Sequence, residues 1–202
     1  TLFPNLTPGH SLYFTEYVQQ LFPLFGPNQT EAVASNYQSF GSPLDQVNAI
    51  MGESTFICPT YNLLRAFPGK SYKGEYAVPP ALHADDMFYY FPSFTFSGLS
   101  KSFNNTTFTN AFTQGFLSFV VHLDPDDKLR PSITPEWPTW APTETEMVFN
   151  RTEGGVPSIA GVPTWNTLLG RCKCVLLASF FLVQWLISTG RFWKSLIKLT
   201  AQ

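Results

Sequence analysis

Charge is scarce in this sequence. Lysine, arginine, aspartate and glutamate together make up 13% of the 202 residues, about half the quarter usual for soluble domains. The net charge is −2 and no basic run appears. The chain therefore lacks the electrostatic footprint of a protein that tracks a phosphate backbone, and nucleic acid is excluded as its partner. Histidine and cysteine are sparse too, with three of each. Cys172-Lys173-Cys174 is the only close pair of cysteines. No histidine pair accompanies it, so the pattern is not that of a zinc site. The first residue is Thr1, not methionine, and no basic stretch followed by an apolar one opens the chain. A signal peptide is thus not expected here, and the opening reads as a fragment or as the product of an upstream removal. There is no internal repeat.

Apolar and aromatic side chains are plentiful. Hydrophobic residues account for 44% of the sequence and aromatic ones for 16%, with 20 phenylalanines and 17 prolines. A chain of this length can bury a sizeable core in one or two domains. Its composition predicts an aromatic core joined by long, stiff connections.

The glycosylation acceptor sequences point to the secretory route. Asn5, Asn28, Asn104, Asn105 and Asn150 each begin an Asn-x-Ser/Thr acceptor sequence for glycosylation. The cysteine count is odd, which in an oxidising compartment gives one bridge and one remaining thiol. Spacing leaves Cys58 free to pair with either Cys172 or Cys174.

Helical signals come first along the chain. Ser11 is placed to cap a helix running to about Phe22, ended by Pro23 and the Gly26-Pro27 pair. Thr30 is the expected cap of a short helix from Glu31 to about Gln38. Ser42-Pro43 opens a third, with Leu44, Val47 and Ile50 as its inner stripe. Glu53 to Ala66 reads as a fourth, with Phe56, Leu63, Leu64 and Phe67 apolar and Pro59 in its first turn or kinking it. The period then changes. Ser71 to Val78 alternates like a strand, and Pro79-Pro80 stops it. A long helix is expected from Thr107 to about Leu123, capped by Thr106, with Phe108, Ala111, Phe112, Phe116, Phe119 and Val120 inside. Residues 124–143 form a Pro/Trp-rich connection, and Glu146 to Asn150 is a strand candidate. Helices, a strand, a loop with a histidine and a long helix fit the end of an α/β fold.

His83 is the residue with chemistry. It lies in Pro80-Ala81-Leu82-His83-Ala84-Asp85-Asp86, directly after the predicted strand. Loops at strand ends are where α/β enzymes place reactive groups, and a histidine there is suited to general-base work. Residue type alone favours a surface-loop histidine beside two helix-capping aspartates, and it also allows a His-Asp-Asp metal site. His10 and His122 read as structural or solvated.

The segments Ser54-Thr55-Phe56-Ile57-Cys58-Pro59-Thr60-Tyr61, then Tyr72-Lys73-Gly74-Glu75-Tyr76, then His83 to Phe91 resemble, in order and spacing, the C-terminal third of type-B carboxylesterases. This is the cholinesterase/lipase family, and its fungal branch looks most similar. The resemblance covers about residues 1–172. It implies the C-terminal portion of an α/β-hydrolase fold, with helices and the last strands of a central sheet, incomplete as given. It implies that His83 is the triad histidine, that Asp85 or Asp86 holds the acidic position after it, and that Tyr90-Phe91 closes the segment. The implied reaction is hydrolysis of a small-molecule or lipid ester by a serine, a histidine and an acid, with no metal or cofactor. The resemblance also implies a Cys58–Cys172 disulfide and an extracellular protein.

The departures matter as much. No Gly-x-Ser-x-Gly occurs in the sequence, and Thr1-Leu2-Phe3 resembles the residues that follow the family's triad acid. The chain thus supplies one triad member of three and is expected to be inactive by itself. Ala84 stands where the family has glycine, and it would be strained if that position needs a positive φ. At the other end, Arg171-Cys172 is separated from Phe192-Trp193 by an apolar run, Val175 to Ser188. Residues 173–202 are accordingly expected to be an atypical extension. A membrane anchor and an apolar helix are two readings of it; a read-through insertion that splits the family's motif is the favoured one. The run is short of the roughly 20 residues that span a bilayer. For the chain as a whole, the alternatives to a fragment of an ester hydrolase are an inactive cholinesterase-like binding or adhesion domain and a small independent secreted glycoprotein.

Overall fold

The computed structural model describes residues 14–93 and 100–173. The segment holding Asn5 and Ser11, the expected cap of the first helix, lies outside them, as do Cys174 and the rest of the extension. The described chain divides into two compact units. One comprises residues up to Asn62 together with those from Trp165 onward, and the other comprises Leu63–Thr164.

The first unit is helical: α1 (Phe14–Leu21), α2 (Pro27–Ser35) and α3 (Pro43–Gly52), followed by a π-helical turn (Glu53–Ile57) and the beginning of α4 (Cys58–Ala66). Residues 166–173 are also helical. Gly26-Pro27 starts α2 rather than ending its predecessor. Gly26 is the N-cap and Pro27 occupies the first turn, where a missing N–H costs nothing, so Thr30 lies inside the helix and is buried. Ser42 caps α3 as expected. Its hydroxyl accepts from the Asp45 N–H at 3.3 Å, and the Asp45 carboxylate accepts from the Ser42 N–H at 2.8 Å. The Ser42 hydroxyl in turn donates to the Asp45 carboxylate at 2.7 Å, and this bond, followed by the one from the Ser42 N–H, holds the Asp45 carboxyl below its ordinary range.

Pro59 explains the π-helical turn. It has no N–H to offer the carbonyl four residues back, and its ring crowds that carbonyl. The chain widens by one residue instead, and the Cys58 N–H reaches the Glu53 carbonyl. The widening rotates the following helix. Cys58, Tyr61 and Leu64 face inward, while Phe56, Leu63 and Phe67, expected to be on the apolar face, are exposed. Leu44 likewise faces out, leaving Val47 and Ile50 to join Tyr17, Val18, Val33 and Tyr37 in this unit's core.

The second unit holds the sheet. Strands β1 (Gly74–Tyr76), β2 (Thr145–Arg151) and β3 (Pro157–Pro163) lie in the order β1-β2-β3. β1 runs parallel to β2, with Glu75 opposite Val148, and β2 pairs with β3 antiparallel, with Val148 opposite Ala160. A parallel pair needs a long crossover. Here it contains the histidine loop, the short helix α5 (Met87–Tyr90), α6 (Thr106–His122) and the Pro/Trp-rich connection. Asn105, one residue earlier than expected, caps α6 by accepting from the Phe108 N–H at 2.9 Å. Leu123 ends the helix in the left-handed conformation.

α6 lays Phe108 and Phe112 into an aromatic core with Tyr76, Tyr89, Phe103, Trp137 and Phe149. Most ring pairs meet at steep angles; Phe112 and Phe149, for example, have centroids 4.9 Å apart at 69°. Val120, expected inside, is exposed. Trp137 is the keystone of the connection. Its backbone N–H donates to Asp126 at 2.7 Å and its indole N–H to the Lys73 carbonyl at 3.2 Å. The ring then sits on two glycines: a Cβ at Gly115 would fall 2.9 Å from it and one at Gly74 3.1 Å.

Replacing Gly115 by alanine improves helix propensity by about 1 kcal/mol but overpacks a ring anchored at two points, which costs about 1–3 kcal/mol. Gly115→Ala is therefore expected to lower the midpoint of urea unfolding followed by circular dichroism. An unchanged or higher midpoint would show that Trp137 has room to move.

Candidate active site

His83 lies between the last rung of β1–β2 and α5. The Ala77 N–H donates to the Phe149 carbonyl at 2.9 Å, and the following residue, Val78, is fully buried. From there the chain turns outward through Pro79-Pro80. The loop closes on itself by short bonds: the Ala81 N–H to the Val78 carbonyl at 2.8 Å, and the Asp85 N–H to the Leu82 carbonyl at 3.1 Å. The Asp85 carboxylate accepts from the Leu82 N–H at 2.9 Å, bracketing the histidine from both sides. Asp85 thus works on the loop's backbone. His83 itself is exposed.

The far side of the loop is fixed by α5. The Tyr89 hydroxyl donates to the Phe103 carbonyl at 3.0 Å and accepts from the Phe103 N–H at 2.9 Å. Thr113 of α6 donates to the Tyr89 carbonyl at 2.6 Å. Tyr90 packs edge-on against Phe112 and Phe116. Burial, and secondarily the nearby Asp86 carboxylate, pushes the Tyr90 phenol up, and burial also raises that of Tyr76. Both phenols therefore stay neutral at ordinary pH and serve as packing and hydrogen-bonding groups. The imidazole thus stands on a mount tied to the sheet at one end and to α6 at the other.

The loop contains backbone strain. Ala84 has φ 75° and Ala81 φ 52°. Positive φ is glycine territory, and an alanine there costs roughly 1–2 kcal/mol. The position after the histidine does require the conformation that a glycine would supply.

The other predicted residues are dispersed. Cys58 and Cys172 are bonded, with Cα atoms 5.0 Å apart and both side chains fully buried. Asn28 and Asn104 are exposed. Asn105 is half-buried and caps α6, and Asn150 lies within β2, its side chain accepting from the Arg151 N–H at 2.7 Å. Asn5 lies outside the described residues. His122 pairs with Asp127 at 3.1 Å. Among the described residues, no group of three His, Cys, Asp or Glu side chains is arranged to hold a metal, and no helix is long and apolar enough to cross a membrane.

One cluster was not anticipated. Glu53, an unremarkable helical residue by pattern, is buried and takes a forked ion pair from Arg171, with Nη2 2.6 Å from Oε1 and Nε 2.9 Å from Oε2. The Tyr37 hydroxyl donates to the same carboxylate at 2.9 Å. The sequence carries little trace of this: Arg171 adjoins Cys172, and Glu53 stands five residues before Cys58.

No family model and no curated protein matches the sequence. The structure is similar to the crystal structure of Aspergillus niger EstA, with a TM-score of 0.66 and 17% identity, over 83% of this chain and 35% of that one. At that identity the likeness concerns the fold. The chain has the mixed α/β architecture of part of an α/β-hydrolase and spans about a third of the length of EstA.

Ala84→Gly relieves the strained residue beside His83 at the cost of a more flexible unfolded chain. The net expectation is a gain of about 1 kcal/mol, read as a higher urea midpoint. A lower midpoint would mean that the alanine methyl makes a compensating contact.

Proposed function

We propose that this chain is a portion of a carboxylic-ester hydrolase of the serine type, and that His83 is its general base. The observation that supports this most directly is the position of the histidine in an α/β-hydrolase fold: on a braced loop immediately after a strand of the parallel pair. In that role its imidazole takes the proton of a serine hydroxyl as the oxygen attacks the ester carbonyl, then returns it to the leaving alcohol. The serine and the acid that orients the imidazole come from outside this sequence. The substrate is a small-molecule or lipid ester, and the reaction uses no metal or cofactor. We further propose that the parent protein is secreted and carries glycans at exposed acceptor sites such as Asn28 and Asn104.

A second reading is an inactive cholinesterase-like binding or adhesion domain. Ala84 favours it, because it departs from the glycine that the resembled family has after its triad histidine, at a position whose φ is positive.

The transcript that contains this segment, followed upstream, is the first test: a Gly-x-Ser-x-Gly and an acidic residue just before Thr1 are expected. In the protein of that length, His83→Ala should lower kcat/KM for a p-nitrophenyl ester at least about 10³-fold, as loss of a triad member does. Retained turnover would remove His83 from the mechanism, and a transcript without the serine would leave the binding-domain reading. The present 202-residue chain should show no turnover. When it is secreted from a eukaryotic host, glycosidase treatment should increase its gel mobility. Unchanged mobility would count against glycosylation.

A further inference from the structure

The sequence holds the same pair of residues twice in succession: a cation and a cysteine, Arg171-Cys172, then a cation and a cysteine, Lys173-Cys174, the last of them outside the described residues. Cys58 is bonded to Cys172, at a sequence separation of 114. Closing onto Cys174 would lengthen the loop by only two residues. The entropy of loop closure grows with the logarithm of length, so it does not distinguish the two. A slip of two residues would also bring Lys173 to the place that Arg171 occupies, so net charge does not distinguish them either.

We infer that the Glu53–Arg171 ion pair selects the disulfide, because Glu53 reads the shape of the cation beside the cysteine and not only its charge. Glu53 sits five residues before Cys58, at the head of the π-helical turn, and its backbone carbonyl accepts from the Cys58 N–H. Its position relative to Cys58 is thereby fixed. Its carboxylate is buried, and the Tyr37 hydroxyl occupies one direction of approach to Oε2. Arg171 fills the remainder as a fork, with Nε and Nη2 on the two oxygens, and its guanidinium lies over Phe40, the central carbon 4.6 Å from the ring centroid. A planar guanidinium satisfies both oxygens and stacks at the same time, whereas an ammonium is a strongly hydrated point charge that does neither well. Lys173 is exposed in this register. Leu169 is buried and holds the helical stretch down, and a slip of two residues would carry Arg171 into its place, so this contact favours the same register. The fork adds the part that depends on the shape of the cation, and the register puts Cys172 against Cys58.

The covalent step needs an oxidant, which in the test is oxidised glutathione. The Cys58 thiolate attacks it and releases one glutathione thiol. The Cys172 thiolate then attacks the Cys58 sulfur of that mixed disulfide and releases the second. Two protein thiols are oxidised and one glutathione disulfide is reduced.

The whole chain is reduced, unfolded, then oxidised in a glutathione buffer, and its bridges are mapped by mass spectrometry of non-reduced peptides. The wild type should give Cys58–Cys172. Arg171→Lys should lower the ratio of Cys58–Cys172 to Cys58–Cys174 roughly tenfold, and Arg171→Lys combined with Lys173→Arg should shift it further toward Cys58–Cys174. Glu53→Gln should make the ratio insensitive to both exchanges, and so should oxidation in concentrated urea. The inference is overturned if the double exchange still gives only Cys58–Cys172, if the wild type yields both isomers equally, or if the preference survives in urea. None of these readouts depends on catalysis, so they leave the proposal for His83 untouched.

Discussion

Everything around His83 depends on aromatic rings packed between one helix and one pair of strands. α6 contributes Phe108, Phe112 and Phe116, β2 contributes Phe149, and Trp137 closes the side. Fused and single rings of this size bury large apolar areas and also prefer particular mutual angles. They therefore do more than collapse: they hold the helix at a defined position over the sheet. Two glycines let the indole come close enough to take part, and its N–H reaches the backbone just before β1. Tyr89 belongs to the same cluster and also ties α5 down through its hydroxyl. The histidine loop thus spans two points that the cluster holds fixed.

Much of this was legible in the sequence, for identifiable reasons. The stripe Phe108, Ala111, Phe112 has the 3.6-residue period of a buried helix face, and Ser42-Pro43 is an unambiguous start signal. The order of helices, strand and histidine loop was recoverable because each break carries proline or glycine. β3 was missed: Pro-Ser-Ile-Ala-Gly-Val-Pro has weak alternation and two prolines, and becomes a strand only because β2 is there to pair with it. The orientation of α4 was also misjudged. A single proline shifts the hydrogen bonding by one residue, and periodicity cannot anticipate a phase change that arises from the backbone. The Glu53–Arg171 contact joins residues 118 apart in sequence, a distance at which no local pattern carries information.

Of the site, the position of His83 at a strand end was readable, and so was the conformational demand on the next residue. The bracing was not. The bond from the Leu82 N–H to Asp85 and the reach of the Tyr89 hydroxyl to Phe103 rest on loop geometry that residue types alone do not specify. The helical unit shows a related point. Its bridge joins Cys58 to Cys172, one of the two partners that spacing left open, and the Glu53 carboxylate and Arg171 guanidinium belong to the residues that adjoin it in the chain.

The proline pair that obscured β3 has a further consequence. Pro157 and Pro163 stand at the two ends of that strand and have no N–H to offer a neighbour. β3 is therefore a poor template for another strand, and the outer side of the sheet is finished there. β1, at the opposite end of the order, contains no proline and its other flank has no strand among the described residues. Among the described residues the sheet is therefore open to further pairing beside Gly74–Tyr76 rather than beside β3. A strand added on that flank would turn β1 from a margin into an interior strand and move the loop that follows it away from the sheet's edge.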